Sequence, residues 1–209
     1  MTDRPNKNVE RGRATREQIV AVATRLFAAR GYEGTSIDAV LQGAAVSRGS
    51  LYHHFAGKDA LFEAVLADVE ARVGDQVLAA AESAAVQSAA AGGAMDPVAA
   101  LRAAALAWIK LAGDPVVKRI LLIDAPAVLG WERWRAMDEA NYLGQVKAAL
   151  QEVADVGRLR QDLVDMFAHV LMASMNEVAL MVARADDPDA VMEEAASAIE
   201  ALLQRLLVP

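Results

Sequence analysis

The spacing of apolar positions changes several times along the chain, and each change marks an element. After a polar opening, "MTDRPNKNVERGRATRE", apolar residues fall at Ile19, Ala23, Leu26 and Phe27. That is the three- and four-residue spacing of one helix face. Thr15 is placed to cap this first helix and Gly31 to stop it. Residues 1–13 carry no such stripe and read as a flexible basic arm. Thr35 or Ser36 caps a second helix that turns Ile37, Val40 and Leu41 inward. "GAAV", Gly43 to Val46, makes a tight turn, and Ser47 caps a third helix reaching about His54. A fourth, long helix begins after "AGK", with Leu61, Phe62, Val65 and Val69 inward. It is expected to end near Glu82, a length of roughly 39 Å at 1.5 Å per residue.

The rest of the chain continues in helices. "SAAVQSAAAGGAMDP", Ser83 to Pro97, is low in complexity and reads as the end of helix four and a loose connection. Asp96-Pro97 starts a fifth helix that ends near Gly113. "DPVVKRILLID" repeats the device from Asp114 for a short sixth helix, and "APAVLG" reads as a loop. A seventh helix is expected from about Trp131 to Val156, ended by Gly157. Two last helices follow, about Gln161–Ala185 and Pro188–Leu207, separated by "DDPD". The sum is an all-α chain of about nine helices with no fixed-period repeat.

Composition narrows the class. Hydrophobic residues make up 55% of the sequence, alanine dominates, and Gly and Pro are sparse, which favours helices around a sizeable core. There is no Cys, so disulfides and thiolate chemistry are excluded. No signal pattern opens the chain, and charge interrupts every apolar stretch long enough to span a membrane. The expectation is a cytoplasmic protein with no membrane partner. Charge is uneven: residues 1–60 hold nine Lys and Arg against six Asp and Glu, whereas residues 61–209 hold twelve against twenty-two. A basic head on an acidic body points to a polyanion that meets only the head.

"VSRGSLYHHFAGKDALFEAV", Val46 to Val65, carries the chemistry. It places Tyr52, His53 and His54 on a helix too short to be stable alone. Two short helices joined by a tight turn form a helix-turn-helix. Ile37, Val40, Leu41, Val46 and Leu51 are expected to point back onto the Phe27 and Phe62 stripes and hold the short helix. The outer face, with Arg48, Ser50, Tyr52 and His53, is then free to enter a major groove. Arg can contact guanine edges in a bidentate way, and Ser serves several bases. Thr35, Ser36 and Lys58 stand at helix N-termini, where backbone N–H groups suit phosphates. Arg11, Arg13 and Arg16 are placed to reach phosphates or an adjacent minor groove. The residues leave open whether His54 faces DNA or core. A metal site on His53-His54 is set aside, because neighbours on a helix point in different directions and no ligand of suitable geometry stands at i+4.

"TREQIVAVATRLFAARGYEGTSIDAVLQGAAVSRGSLYHHFAGKDALFEAV", Thr15 to Val65, closely resembles the DNA-binding domain of TetR-type (TetR/AcrR) transcriptional regulators. The linked series "LFAARGYEGTS", "VSRGSLYHHF" and "KDALFEAV" carries the resemblance. "AVLQGAAVS" departs from the commoner "I-A-x-x-A-G-V-S" pattern, which bears on turn detail. The resemblance implies a three-helix helix-turn-helix DNA-binding domain over residues 14–60. It also implies a helical ligand-binding and dimerisation domain over 61–209. With these come a homodimer, a roughly two-fold operator and a ligand that lowers DNA affinity. Carried over by position, Tyr52 and Lys58 resemble phosphate contacts, and Arg48, Ser50 and His53 resemble base or groove contacts. Gly49 resembles the position where a small residue lets the helix approach DNA. Thr35, Ser36 and Ser47 complete the candidate DNA-binding set.

The C-terminal half is less diagnostic. "LVDMFAHVLMASMNEVALMVARA" and "AVMEEAASAIEALLQRLL" are apolar and rich in small residues. They suit either an intramolecular core or, as the resemblance implies, a homodimer through the last two helices. Candidate ligand contacts are Trp108, Trp131, Trp134, His169, Met172 and Asn176. The last three fall at i, i+3 and i+7. A small-molecule inducer in such a site is expected to be largely apolar. No nucleophile turn, phosphate-binding Gly loop or zinc spacing is present, so no catalytic residue, cofactor or metal is expected. Two other readings remain: a ligand-independent architectural DNA binder, and a small-molecule binding protein that has lost operator binding.

Overall fold

The computed structural model describes residues 7–90 and 95–206, and among them every element is helical. The first four are α1 (Lys7–Arg30), α2 (Ile37–Ala44), α3 (Arg48–His54) and α4 (Lys58–Ala90). Phe27, Val40, Leu51, Leu61, Phe62 and Val65 are buried where these helices meet. The Phe27 ring stands edge-on to Phe62 at 5.3 Å and stacks with Tyr32 at 5.9 Å. Each such pair adds about 0.5–1.5 kcal/mol to simple burial. Gln18 Nε2 donates to the Ala44 carbonyl at 2.8 Å and ties α1 to the end of α2.

Two turns set the head's geometry. Gly31 ends α1 at φ +72°, its N–H returning to Phe27 O at 2.8 Å. A Cβ there would lie 1.8 Å from the Arg119 guanidinium. The positive φ is what favours glycine here; the guanidinium is the far end of a flexible side chain, so space alone does not demand it. In the turn between α2 and α3 the left-handed position is Ala45, at φ 51° and ψ 39°. Ala45 N–H reaches Gln42 O at 3.3 Å and Val46 N–H reaches Leu41 O at 3.2 Å. This double return is the Schellman arrangement, which usually uses glycine.

The chain continues with α5 (Pro97–Ala112), capped by Asp96. A π-helical segment, Val117–Asp124, runs into α6 (Ala125–Leu129). Then come α7 (Trp131–Asp138), a second π-helical segment at Glu139–Leu143, and α8 (Gly144–Asp155). A 3₁₀ turn at Gln161–Leu163 leads into α9 (Val164–Arg184), and α10 (Pro188–Leu206) follows. Counted as continuous helical runs, the described residues form nine. α5 lies along α4, and α9 packs against α5, α8 and α10. Gln161–Arg184 is long and apolar enough by length and composition to cross a membrane. Here it is a packed helix of the bundle.

Several boundaries differ from the sequence expectation. Residues 7–13, assigned to a flexible arm, form the first turns of α1; residues 1–6 lie outside the described residues. Thr15 is an interior residue of α1, its hydroxyl donating back to Arg11 O at 2.9 Å. α4 runs on to Ala90, because the alanines of "SAAVQSAA" prolong a helix instead of breaking it. "APAVL" is helical, and only Gly130, at φ +82°, breaks the path into α7. The expected seventh helix is interrupted by the π turn at Glu139–Leu143.

Candidate nucleic-acid interface and ligand cavity

The head places most of the expected residues on one exposed surface. Ser36 caps α2, accepting from Ala39 N at 3.1 Å, and Ser47 caps α3, accepting from Ser50 N at 3.1 Å. Arg48, Gly49, Tyr52 and His53 are exposed on α3 and Ser50 is half-buried, while Leu51 and Phe55 anchor the helix from behind. Tyr52 is 46% exposed, high for an aromatic side chain. A Cβ at Gly49 would meet nothing within 4 Å, so the fold itself does not demand glycine there.

Other expected contacts are placed differently. Thr35 is 1% exposed, and its hydroxyl donates to Gly31 O at 2.9 Å. It closes the turn after α1 and is withdrawn from the surface. Arg48 is ion-paired with Asp38 of α2. The Lys58 ammonium sits 4.0 Å from the Tyr32 ring centroid, and the Tyr32 hydroxyl donates to Asp59. Burial, and next the bond to Asp59, push the Tyr32 phenol up to about 12. Arg16 lies 5.3 Å from the Phe55 ring centroid, and Arg13 pairs with Glu17 at 2.7 Å. His54 is half-buried, with its Cε1 4.0 Å from the Cβ position of Gly12 on α1.

A cavity of about 210 Å³ opens among α4, α5, α7, α8 and α9. Trp108, Met172 and Asn176 line it, as expected, together with Val73, Leu101 and Tyr142. Trp108 Nε1 donates to Met175 O at 3.3 Å, which fixes the indole. Trp131, Trp134 and His169 do not line it. Trp134 is 3% exposed and donates from Nε1 to Leu121 O at 3.2 Å, beside the π-helical segment Val117–Asp124. Trp131 packs on it, with ring centroids 5.0 Å apart, and is largely exposed. Both serve the start of α7. His169 is exposed. It shares an edge of α9 with Asn176, whose Nδ2 donates to Asp138, but His169 itself stands outside the cavity wall.

The sequence reading missed the acidic wall. Glu70, on α4, is only 7% exposed. Its Oε2 accepts from Asn141 Nδ2 at 3.1 Å, and its carbonyl accepts from the Tyr142 hydroxyl at 3.1 Å. Asp138 Oδ2 accepts from Asn176 Nδ2 at 2.5 Å. Burial, and next the Asp138 carboxylate, push Glu70 up to about 7. Burial also raises Asp138, against the opposing Asn176 bond and Arg135. Tyr142 is raised by burial first and by both carboxylates after it. The π turn aims Asn141 and Tyr142 at α4; such local unwinding recurs at functional sites. A single glutamate on a long helix gives no warning of this, because its partners come from about seventy residues further on.

An all-helical chain with a helix-turn-helix head and a cavity in its second bundle is the architecture of a helix-turn-helix transcriptional regulator. Comparison with known proteins agrees. Residues 19–65 match the family model for bacterial regulatory proteins of the tetR family, and residues 98–206 match that for the tetracyclin repressor-like C-terminal domain. The chain belongs to the TetR family. It is similar to the transcriptional repressor AcnR of Corynebacterium efficiens, 36% identical over 30% of this chain and 34% of that protein. It is also similar to the transcriptional regulator UidR of Escherichia coli, 38% identical over 25% of this chain and 26% of that protein. These matches thus span about a third or less of the curated relatives' length. A crystal structure of a TetR-family transcriptional regulator from Pectobacterium atrosepticum superposes with a TM-score of 0.79. It is 27% identical, with 96% of this chain and 97% of that chain covered.

Proposed function

We propose that the protein is a ligand-responsive transcriptional repressor that binds a roughly palindromic operator as a homodimer and is released by a small molecule. Residues 14–60 form the DNA-reading head and 61–209 the ligand and dimer domain. The observation that carries this reading is the construction of α3. A seven-residue helix is pinned by buried Leu51 and Phe55, yet turns Arg48, Gly49, Tyr52 and His53 outward. A helix that short gains nothing from such an outer face unless a partner reads it. Gly49, free of any packing demand, suits close approach of a DNA backbone. Tyr52 and Lys58 are assigned to phosphates, Arg48, Ser50 and His53 to the groove, and Ser36 and Ser47 to phosphates beside their caps.

The dimer reading has its own support. α9 exposes Met166, Val170, Ala173 and Met181 along one face, with the exposed Glu177 between the last two. Large apolar side chains in such a row are costly in water and suit a second copy of the chain. The cavity, apolar for most of its wall, is where an inducer would bind.

The test is a mobility shift of the purified protein on the DNA upstream of its own gene, against random DNA of equal length. Specific retention at a dimer per site supports the reading. Equal, salt-sensitive binding to both would favour an architectural DNA binder. No binding at low salt would favour a ligand-binding protein that has lost operator recognition.

A further inference from the structure

The wall of the cavity points to the charge of its ligand. The smaller part holds Asp138 beside Trp108, Met172 and Met175. It shares Gly74, Leu78, Leu101 and Tyr142 with a wider compartment of about 860 Å³ toward solvent. That outer compartment is lined by Glu70, Asp75, Glu82 and Glu152, and no Lys, Arg or His lines either part. Arg135, the cation nearest in effect to Asp138, is exposed and tied to Glu139 at 3.1 Å. Glu70 receives an amide and Asp138 receives an amide, but neither has a cationic partner in the site. Buried carboxylates are costly unless paired. Here the missing partner is a positive charge, and the space beside them is apolar and open to solvent on an acidic side. Such a mouth raises the local concentration of cations and repels anions.

We propose that the cavity binds a hydrophobic organic cation, its apolar body against Trp108, Val77 and Met172 and its positive group beside the Glu70 and Asp138 carboxylates. This rests on the ligand-responsive reading above and narrows its inducer from a largely apolar molecule to an apolar amine. Tyr142, between the two compartments, orients the site through its bond to the Glu70 backbone. Asn141 and Asn176 hold the carboxylates in place and leave their remaining lone pairs for an ammonium group.

The experiment uses three probes of one shape: 4-phenylbutylamine, 4-phenylbutanol and 4-phenylbutyrate. Binding to the full-length protein is followed by calorimetry and by Trp108 fluorescence, with Trp108→Phe locating the signal. The amine is expected to bind at least about tenfold more tightly than the alcohol, a difference of about 1.4 kcal/mol, and the carboxylate least tightly. Glu70→Gln with Asp138→Asn should reduce the amine to the alcohol's affinity and leave the alcohol within about twofold. A carboxylate or alcohol that binds as well as the amine, no binding by any probe, or an amine preference that survives both substitutions would overturn the proposal. Unchanged DNA affinity with the amine bound would instead sink the ligand-responsive reading and leave the ligand class standing.

Discussion

The backbone N–H of Tyr32, one residue past the glycine that ends α1, donates to Oδ2 of Asp124 at 2.7 Å. The two residues are 92 positions apart. Asp124 closes the π-helical segment Val117–Asp124 and is buried, with Arg119 Nε 3.2 Å from the same oxygen. The guanidinium of Arg119 lies where a side chain at Gly31 would be. One carboxylate therefore joins the end of the head's first helix to the ligand domain, next to the Phe27, Tyr32 and Phe62 ring cluster. Asp124→Ala leaves a part-buried N–H and a partly exposed cation without their acceptor. It is expected to destabilise by about 1–3 kcal/mol, lowering the thermal midpoint by roughly 2–12 °C. Asp124→Asn keeps an acceptor and should lose less. Scanning calorimetry of both variants checks this; an unchanged midpoint for the alanine variant would show that the link carries no stability.

The sequence showed the head well and the cavity poorly, for physical reasons. Stripes such as Ile19, Ala23 and Phe27 and caps such as Ser36 and Ser47 are local signals, and they reappear where they were expected. Asp124 and Glu70 act through partners about ninety and seventy residues away, which no local pattern reports. Thr35 shows the opposite error. Its type fits a phosphate contact, but its position at the turn after α1 buries it. Trp131 and Trp134 fit a ligand contact by residue type and His169 by its spacing from Met172 and Asn176, yet none of the three lines the cavity, because neither signal reports what packs over them. The π turn at Glu139–Leu143 shifts the helical phase within one apparently regular run, and Tyr142, inside it, lines the cavity.

Stability should fall as pH rises through neutrality. Burial and the neighbouring Asp138 raise Glu70 from an ordinary 4.5 to about 7 in the folded chain. Between those values the folded state holds a proton that the unfolded state has released, so raising the pH favours unfolding. Asp138, raised by burial, adds in the same direction. The thermal midpoint is expected to be several degrees higher at pH 5 than at pH 8, once other titrating groups are matched by comparison with Glu70→Gln. In that variant the slope should flatten. An identical pH profile in both proteins would contradict the assignment.

Ala45 is the one non-glycine residue at positive φ among the described residues. A left-handed conformation costs an alanine about 1–2 kcal/mol, partly offset by the greater freedom that glycine has when unfolded. Ala45→Gly is expected to stabilise by about 0.5–1 kcal/mol, a rise of roughly 1–4 °C in midpoint. A drop on calorimetry would mean that the alanine methyl contributes more than the strain removes.

Asp38 holds Arg48 through an exposed ion pair. Arg48→Ala should weaken operator binding by about 1–3 kcal/mol if the guanidinium reads a base. Asp38→Ala removes a negative charge from the DNA face and frees Arg48. It should therefore strengthen binding to random DNA severalfold at low salt. Fluorescence anisotropy on operator and random duplexes separates these effects. An equal loss on both duplexes for Arg48→Ala would make Arg48 a phosphate contact.

Selection of bound sequences from a random duplex pool tests the central claim most directly. A dimer reading DNA through two copies of α3 predicts one enriched motif with two-fold symmetry, its half-sites centred about 34–36 Å apart, one turn of DNA, or at a related spacing. The enrichment should vanish when Arg48, Tyr52 and His53 are replaced together by alanine. A pool that stays random after repeated rounds, or an enriched motif that survives that triple replacement, would contradict the account of α3 as the element that reads DNA.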